Sequence, residues 1–420
     1  MKTLHSIVAG FRRAFSIVRQ RIALPLLLLG AGWLLVTGLS PFSSATAENV
    51  LKVLRLESPL GQGRSANWRQ AAFDPAHTAF NRVETILSPS NVGHLAQAWA
   101  VPVGTQTLFA SPVVSGGKVF IGGSVGLEGH MYAFEEATGA TLWVGPPQAS
   151  FFVDSAAVGH GLVFANSIYS TLLAYDAETG AIAWTSNLTD VRASPTVSNG
   201  TLYVASFDGT LTALDAETGT PLWSAQGGCC VFDQAPAVDG DRVFQIRTDH
   251  TLTAYNARTG RQLWSTPAFS VGTLAASGGV LFFTEFPNVV ALDEATGIQL
   301  WASGVLTGFP TFAAPAVANG LVFVTTLSYL FALDAATGAV VWTAPAASEW
   351  GPVVANGVVY ASSLSGEWDA FDERDGSLLW SVTINSGCGG PCANAVPVVA
   401  HGTLYLTGPD QYLRAFRLSR

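Results

Sequence analysis

Seven times in this chain a Gly stands four residues before a Trp: Gly139/Trp143, Gly180/Trp184, Gly219/Trp223, Gly260/Trp264, Gly297/Trp301, Gly338/Trp342 and Gly376/Trp380. Aligned on Thr-Gly-x-x-x-Trp the pairs share one spacing, and Trp99 heads the series without the preceding Thr-Gly. The period is about 40 residues, within the range of propeller blades. Units of this size bury their apolar faces only against their neighbours. A chain of 420 residues, long enough for two or three unrelated domains, is therefore read as one repeat-built ring with a leader.

Each unit also holds two short apolar stretches joined by a turn that ends in Gly: Gly116-Gly117, His160-Gly161, Asn199-Gly200, Asp239-Gly240, Gly278-Gly279, Asn319-Gly320, Asn356-Gly357 and His401-Gly402. Asn-Gly, Asp-Gly and Gly-Gly suit the positive dihedrals of a two-residue hairpin turn. The flanking stretches, such as 201–206, are rich in β-branched and aromatic residues and too short for helices. Eight such turns predict an all-β protein, an eight-bladed propeller of four-stranded sheets.

A second turn precedes each Trp: Asp-Ala-Glu-Thr-Gly or a variant, starting at Asp176, Asp215, Asp293, Asp334 and Asp372, with Glu135 and Asn256 in the other two copies. The leading side chain is expected to accept backbone N–H groups two residues on, and Gly to take the left-handed position that returns the chain. The Trp then lies on the outer strand and covers the joint with the next blade, its indole N–H finding a carbonyl. Trp99, Trp143, Trp184, Trp223, Trp264, Trp301, Trp342 and Trp380 are the docking residues, and Trp223 is expected to be buried. The last unit ends without this turn or its Trp. The stretch 95–100 is expected to supply the missing outer strand and close the ring, which removes exposed edges.

Residues 1–22 carry five basic and no acidic side chains, residues 22–39 are uncharged, and Ser44-Ala45-Thr46-Ala47 follows. That order predicts a signal peptide cleaved after Ala47, or an uncleaved anchor. Either outcome places residues 48–420 outside the cytoplasm, secreted, periplasmic or on the cell surface. Four Cys in two close pairs, Cys229-Cys230 and Cys388/Cys392, agree with an oxidising compartment. The net charge of -9 excludes a broad basic surface and hence nucleic acid as a partner. A 49% hydrophobic content excludes disorder.

The segment 213–223, Ala-Leu-Asp-Ala-Glu-Thr-Gly-Thr-Pro-Leu-Trp, resembles the tryptophan-docking motif of the pyrroloquinoline quinone (PQQ)-like β-propeller repeats, a superfamily that includes the quinoprotein alcohol dehydrogenases. The resemblance covers residues 95–420. A lead-in within 48–94 is similar to the entry into the first blade of those dehydrogenases: Trp68, Asp74, His77, Thr78 and Asn81, then Asn91, Val92 and Leu95. Here His77 is read as a packing or turn residue. The same ring serves oxidoreductases, assembly scaffolds and binding proteins, so the resemblance implies the fold more strongly than an activity.

For an enzyme, the resemblance implies PQQ with calcium in the central funnel. Positions just before the innermost strands share that funnel: Asp154, Arg192, Asp233, Gln234, Thr273, Glu349 and Asn394. Such residues also line any water-filled channel. Cys229-Cys230 resembles the adjacent-cysteine disulfide of quinoprotein dehydrogenases, although it enters the fourth repeat rather than an early one. A strained local disulfide and two separate thiols are the other readings. Asp233 is the candidate base. No Asp-Asn pair matches the catalytic motif of the family, the covalent haem motif is missing, and no metal-ligand spacing is present. Trp350 and Trp368, outside the docking series, are candidates for exposed contact or for core. The favoured reading is a monomeric exported binding or scaffolding module for an envelope or extracellular protein. The alternative is a PQQ-dependent dehydrogenase.

Overall fold

The computed structural model describes residues 66–420, apart from 105–109, 126–127, 150–151, 153, 168–171, 192, 227–234, 248, 270–271, 286, 305, 308–313, 347, 349, 364, 385–394, 409 and 420. Eight antiparallel sheets follow one another along the chain. The first blade comprises Val113–Ser115, Lys118–Val125, Glu128–Glu135 and Thr141–Val144, and the pattern repeats to the eighth, Val398–Ala400, Thr403–Thr407 and Tyr412–Leu418. Leu95–Pro102 pairs antiparallel with Tyr412–Leu418 as the fourth strand of that last blade. The ring is closed as the sequence predicts, two residues beyond the expected end of the strand.

Innermost strands of neighbouring blades touch around a common axis. Alternation along the blades puts apolar side chains between sheets, and the inner and middle strands are buried almost throughout. Seven of the eight inner turns have two successive residues at positive φ, for example Asn199 (49°) and Gly200 (80°). The exception is blade four, where Asp239 pairs with Arg242 and the turn residues are Gly240-Asp241. There Gly240 alone has positive φ, at 56°. The predicted Asp239-Gly240 turn is thus displaced by one residue, which leaves Asp239 at the end of the strand, where the other blades carry Ser, Gly or Ala.

The docking turns have the expected chemistry. Asp215 Oδ1 accepts from Thr218 N and Thr218 Oγ1, both at 2.8 Å, and Asp176, Asp293 and Asp334 bind their Thr residues in the same way. In blade seven Asp375 replaces the Thr, and Asp372 instead holds the Arg374 guanidinium. Indole N–H groups reach the next blade as expected: Trp143 to Ala177 O at 3.1 Å, Trp223 to Ala257 O at 2.9 Å, and Trp99, across the seam, to Glu136 O at 3.2 Å. Trp99, Trp143 and Trp342 are buried, but Trp184, Trp223, Trp264, Trp301 and Trp380 are only half-buried. The expected burial of Trp223 is corrected accordingly: it covers the joint while remaining partly exposed.

The Gly of each docking turn has a second role. A Cβ on Gly180, at φ +73°, would stand 2.5 Å from Cε3 of Trp143 on the preceding blade. The other six docking glycines face the preceding Trp just as closely. Gly180→Ala therefore combines a left-handed alanine with a displaced indole, and is expected to cost about 2–3 kcal/mol. Denaturant titration of the variant checks this, and an unchanged midpoint would mean that the indole moves freely.

Candidate functional site

The strand order gives the ring two unlike ends. One end carries the inner hairpin turns and the docking turns. The other carries the connections between blades: 103–112, 145–156, 186–195, 226–236, 268–274, 303–315, 346–352 and 384–397. Two-residue turns cannot reshape a surface, whereas longer connections of this kind are where binding residues gather on a rigid scaffold.

All seven funnel residues proposed from the sequence fall, by number, within these connections. Arg192, Asp233, Gln234, Glu349 and Asn394 lie outside the described residues, as do Cys229, Cys230, Cys388 and Cys392. Asp154 is described, and its Oδ2 accepts from Asn166 Nδ2 of the same blade at 3.3 Å. Thr273 lies at the same end, half-buried. Among the described residues no group of His, Cys, Asp and Glu side chains could hold a metal ion. The donor set for a carboxylated quinone and its calcium ion is therefore not assembled among them.

Exposed apolar side chains lie at the loop end in several blades, as others do along the outer strands. Val125 ends the second strand of blade one, Phe269 follows the outer strand of blade four, and Tyr329 and Tyr412 open third strands. Phe269 is 63% exposed and stacks near His250, with ring centroids 5.1 Å apart. Trp368, by contrast, is 1% exposed and belongs to the core, which settles that residue as structural. Trp350 is half-buried, and its carbonyl accepts from Thr325 Oγ1 at 2.7 Å. Phe269, Tyr329 and Tyr412 escaped the sequence reading because a single aromatic beside a strand end carries no periodic signal.

The lead-in does more than approach the first blade: it winds round the inside of the ring. The central N–H of each inner strand would point into the channel without a partner, and in seven blades the lead-in supplies one. Val114 N donates to Trp68 O at 2.6 Å, Val158 N to Arg69 O at 2.7 Å and Val197 N to Gln70 Oε1 at 2.9 Å. Val238 N donates to Pro75 O, Ala276 N to Ala76 O, Val317 N to Thr78 O and Val354 N to Ala79 O, at 2.6 to 2.9 Å. In blade eight the polarity reverses, and Asn81 Nδ2 donates to Val399 O at 2.7 Å. Phe80–Asn81 also adds a parallel fifth strand to blade seven. Following a circle this tight forces Ala72, Phe73, His77 and Ala79 to positive φ. His77 is buried, its Nε2 hydrogen-bonded with Thr196 Oγ1 at 3.2 Å, and burial pulls its pKa down to about 4. It is a packing residue, as read from the sequence.

Beside this coil, at the turn end, lies a cavity of about 750 Å³. Its walls are the lead-in, including Arg69, Gln70, Asp74 and Arg82, and the inner turns of blades two to five. Asp239, the displaced strand-end residue, is part of that wall. Behind it stands Glu294, 6% exposed and bonded to Arg242 Nη1 at 3.4 Å. Burial, with the nearby Asp239 carboxylate, pushes the Glu294 carboxyl up to about 7. The Asp239 pKa is also raised by burial, so the two side chains hold a proton between them at mildly acidic pH.

Glu294 belongs to a set of three. Glu136, Glu294 and Glu373 occupy the second position of their docking turns, where blades two, three, four and six have Ala. Each reaches the inner hairpin of the preceding blade. Glu136 Oε1 meets His401 Nδ1 at 2.9 Å and accepts from Tyr405 OH at 3.2 Å, while Glu373 accepts from Asn319 Nδ2 at 2.8 and 3.0 Å. The Ala-to-Glu exchange was visible in the repeat, but its partners lie about 50 or more residues away in sequence, or across the seam.

Comparison with known proteins agrees with this architecture. A family model described as "Outer membrane protein assembly factor BamB" matches residues 127–270, 248–330 and 328–419, well over half of the chain. No curated protein matches. Among solved structures, a quinohemoprotein alcohol dehydrogenase from Comamonas testosteroni is similar over 89% of this chain and 85% of its own, at 16% identity and a TM-score of 0.70. A europium-containing methanol dehydrogenase is similar over 87% of this chain and 100% of its own, at 15% identity and a TM-score of 0.69. BamB from Moraxella catarrhalis is similar over 77% of this chain and 99% of its own, at 15% identity and a TM-score of 0.64. Such identities convey the fold alone. With its docking turns, its ring closure and the family match in agreement, the chain belongs to the PQQ-like repeat propellers of the BamB-type family.

Proposed function

We propose that this protein is an exported binding or scaffolding module whose loop end docks an envelope or extracellular protein. In this reading residues 1–47 direct export or anchor the chain, 48–94 form the lead-in and 95–420 the propeller. The carrying observation is the placement of exposed Val125, Phe269, Tyr329 and Tyr412 at the end that bears the long connections. Exposed aromatics on a rigid frame contribute strongly to protein interfaces because little side-chain freedom is lost on binding. The match to an assembly-factor family supports the same reading and an extracytoplasmic location. No helix among the described residues is long and apolar enough to cross a membrane.

The alternative, a PQQ-dependent dehydrogenase with Asp233 as base, rests on the likeness to alcohol and methanol dehydrogenases. One pair of measurements separates the two. Cross-linking in intact envelopes is expected to give a discrete adduct that is lost in a Phe269→Asp/Tyr329→Asp variant with unchanged melting. Calorimetric titration with PQQ and calcium is expected to show no saturable heat. Saturable one-to-one binding that weakens in Asp233→Ala would replace the scaffold reading with the enzyme.

A further inference from the structure

Two departures from the repeat meet at the joint between blades four and five. The innermost strands of the other seven blades end on Ser, Gly or Ala, whereas that of blade four ends on Asp239. The docking turn of blade five carries Glu294 at a position where four blades have Ala. Together the two exchanges place a pair of carboxyls in hydrogen-bonding contact. The other two Glu residues of this kind meet groups that donate across the neutral range, the Asn319 amide for Glu373 and the Tyr405 hydroxyl for Glu136. Glu294 meets an acid. An ionised carboxylate only accepts, so the Asp239–Glu294 bond exists only while one of the two carries a proton.

The nearby arginines are too heavily shared to neutralise both acids. Arg242 Nη1 divides between Glu294 at 3.4 Å and Asp241 at 3.0 Å, and the same guanidinium attracts Asp239. Arg82, on the lead-in, also attracts Asp239 but bonds Asp74 at 3.2 Å. Four carboxyls therefore face two guanidiniums. Arg69 and His160 line the same cavity, and His160 lies near Asp215 of the next blade. Glu294 is 6% exposed, and ionisation of a desolvated carboxyl beside a second one is disfavoured. The two halves of the contact are unequally held. Glu294 N donates to Gly279 O at 3.0 Å, and Glu294 O accepts from Trp264 Nε1 of blade four at 3.0 Å, which fixes the docking turn. Asp239 ends a three-residue strand and borders the cavity, so the blade four hairpin is the side with room to move.

We propose that the joint between blades four and five is a proton-operated latch formed by Asp239 and Glu294. While the proton is present, their bond ties the inner hairpin of blade four to the docking turn of blade five. When the proton leaves to solvent, the two carboxylates repel, Asp239 turns toward the cavity and the hairpin loosens. The turn end of the ring is thereby made sensitive to pH, independently of what docks at the loop end. The native state keeps the proton up to about pH 7, whereas an ordinary Glu in the unfolded chain releases it near 4.5. The stabilisation from the latch is therefore complete below about pH 4.5, declines as the pH rises and is gone above about 7.

Hydrogen exchange of the intact protein, read by mass spectrometry on segment 237–244 and corrected for the intrinsic pH dependence of exchange, tests the latch. Protection of this segment is expected to fall about tenfold between about pH 6 and about pH 8. The inner hairpin of blade one, where the neighbouring docking turn has Ala177 in place of Glu, is expected to show no such fall. Glu294→Gln and Asp239→Asn each give the remaining carboxylate a permanent amide donor, so the fall should vanish in both. In the wild type a carboxylic acid C=O band in the infrared spectrum should be lost over the same range, and that loss should be missing from Glu294→Gln. Wild-type protection that does not respond to pH, an infrared spectrum without that loss, or the same fall in both variants would overturn the latch.

Discussion

Glu84→Ala is expected to lower the unfolding free energy by about 3–5 kcal/mol, the range for removing one partner of a buried charged network. The Glu84 side chain is 3% exposed, and its carboxylate is filled by backbone donors. Oε1 accepts from Thr85 N at 3.1 Å, Ile86 N at 2.7 Å and Leu87 N at 3.2 Å, and Oε2 accepts from Gly402 N at 2.9 Å. Three of those donors belong to the exit of the lead-in, and the fourth to the inner turn of blade eight. Alanine would leave all four without their acceptor, and two of them, Leu87 N and Gly402 N, are buried. Glu84→Gln is the informative companion. Its oxygen keeps the three lead-in donors, but its N–H₂ must face Gly402 N, so a smaller loss is expected. Chemical denaturation of the three proteins reads the difference, and equal stability for wild type and Glu84→Ala would show that the exit of the lead-in contributes nothing to the fold.

This prediction comes from a part of the chain that the sequence describes poorly. The blades are legible because they repeat: a Gly-closed hairpin, an Asp-to-Thr turn and a Trp recur at one period, and each copy corroborates the others. The closing strand was legible for the same reason, since Trp99 occupies the place left vacant after Phe416. The lead-in has no period. Its contacts are mostly backbone carbonyls meeting one N–H per blade, and a carbonyl carries no residue-specific signal. Gln70 and Asn81 bond inner-strand backbone groups through their side chains, Asn67 and His77 bond inner-strand hydroxyls, and nothing in their neighbours announces it.

The displaced turn of blade four is a similar case. Asp239-Gly240 and Gly240-Asp241 are both acceptable turn pairs, and local sequence does not choose between them. Tertiary context does, because pairing Asp239 with Arg242 sets the Asp239 carboxyl against Glu294 and Arg242 on the neighbouring blade joint. The candidate site divides along the same line. Its loop-end residues were found as positions and not as contacts, while the turn-end cavity depends on the course of an aperiodic coil and was not foreseen.

The ring as a whole stands or falls with its seam. A chain beginning at Gly104 keeps the four consecutive strands of each of blades one to seven but lacks Leu95–Pro102 and the lead-in, including the fifth strand that Phe80–Asn81 adds to blade seven. Tyr412–Leu418 then keeps Thr403–Thr407 on one side but loses its outer pairing partner along its whole length, from Leu418 opposite Leu95 to Tyr412 opposite Pro102. Trp99 no longer covers Gly139 or bonds Glu136 O, and the inner strands lose the acceptors that the coil supplies. The remaining seam hydrogen bonds among the described residues are too few to close a ring on their own: Arg417 to Ala137 O at 2.7 Å and to Glu136 O, His401 and Tyr405 to Glu136, Ser111 Oγ to Val396 O at 2.9 Å and Thr407 Oγ1 to Ala110 O at 3.4 Å. An open arc of seven blades and three strands of the eighth would present an unpaired strand edge at one end and an uncovered blade face at the other, a pairing that recruits a second copy. The expected result is loss of the cooperative monomer transition, with the truncated chain eluting as oligomers or aggregate in size-exclusion chromatography. Adding residues 66–103 as a separate peptide should restore the monomer in part, because strand and coil bind through the same groups as in the intact chain. A truncated chain that stays monomeric and melts like the whole protein would mean that the blades close by their own contacts and that the seam is dispensable.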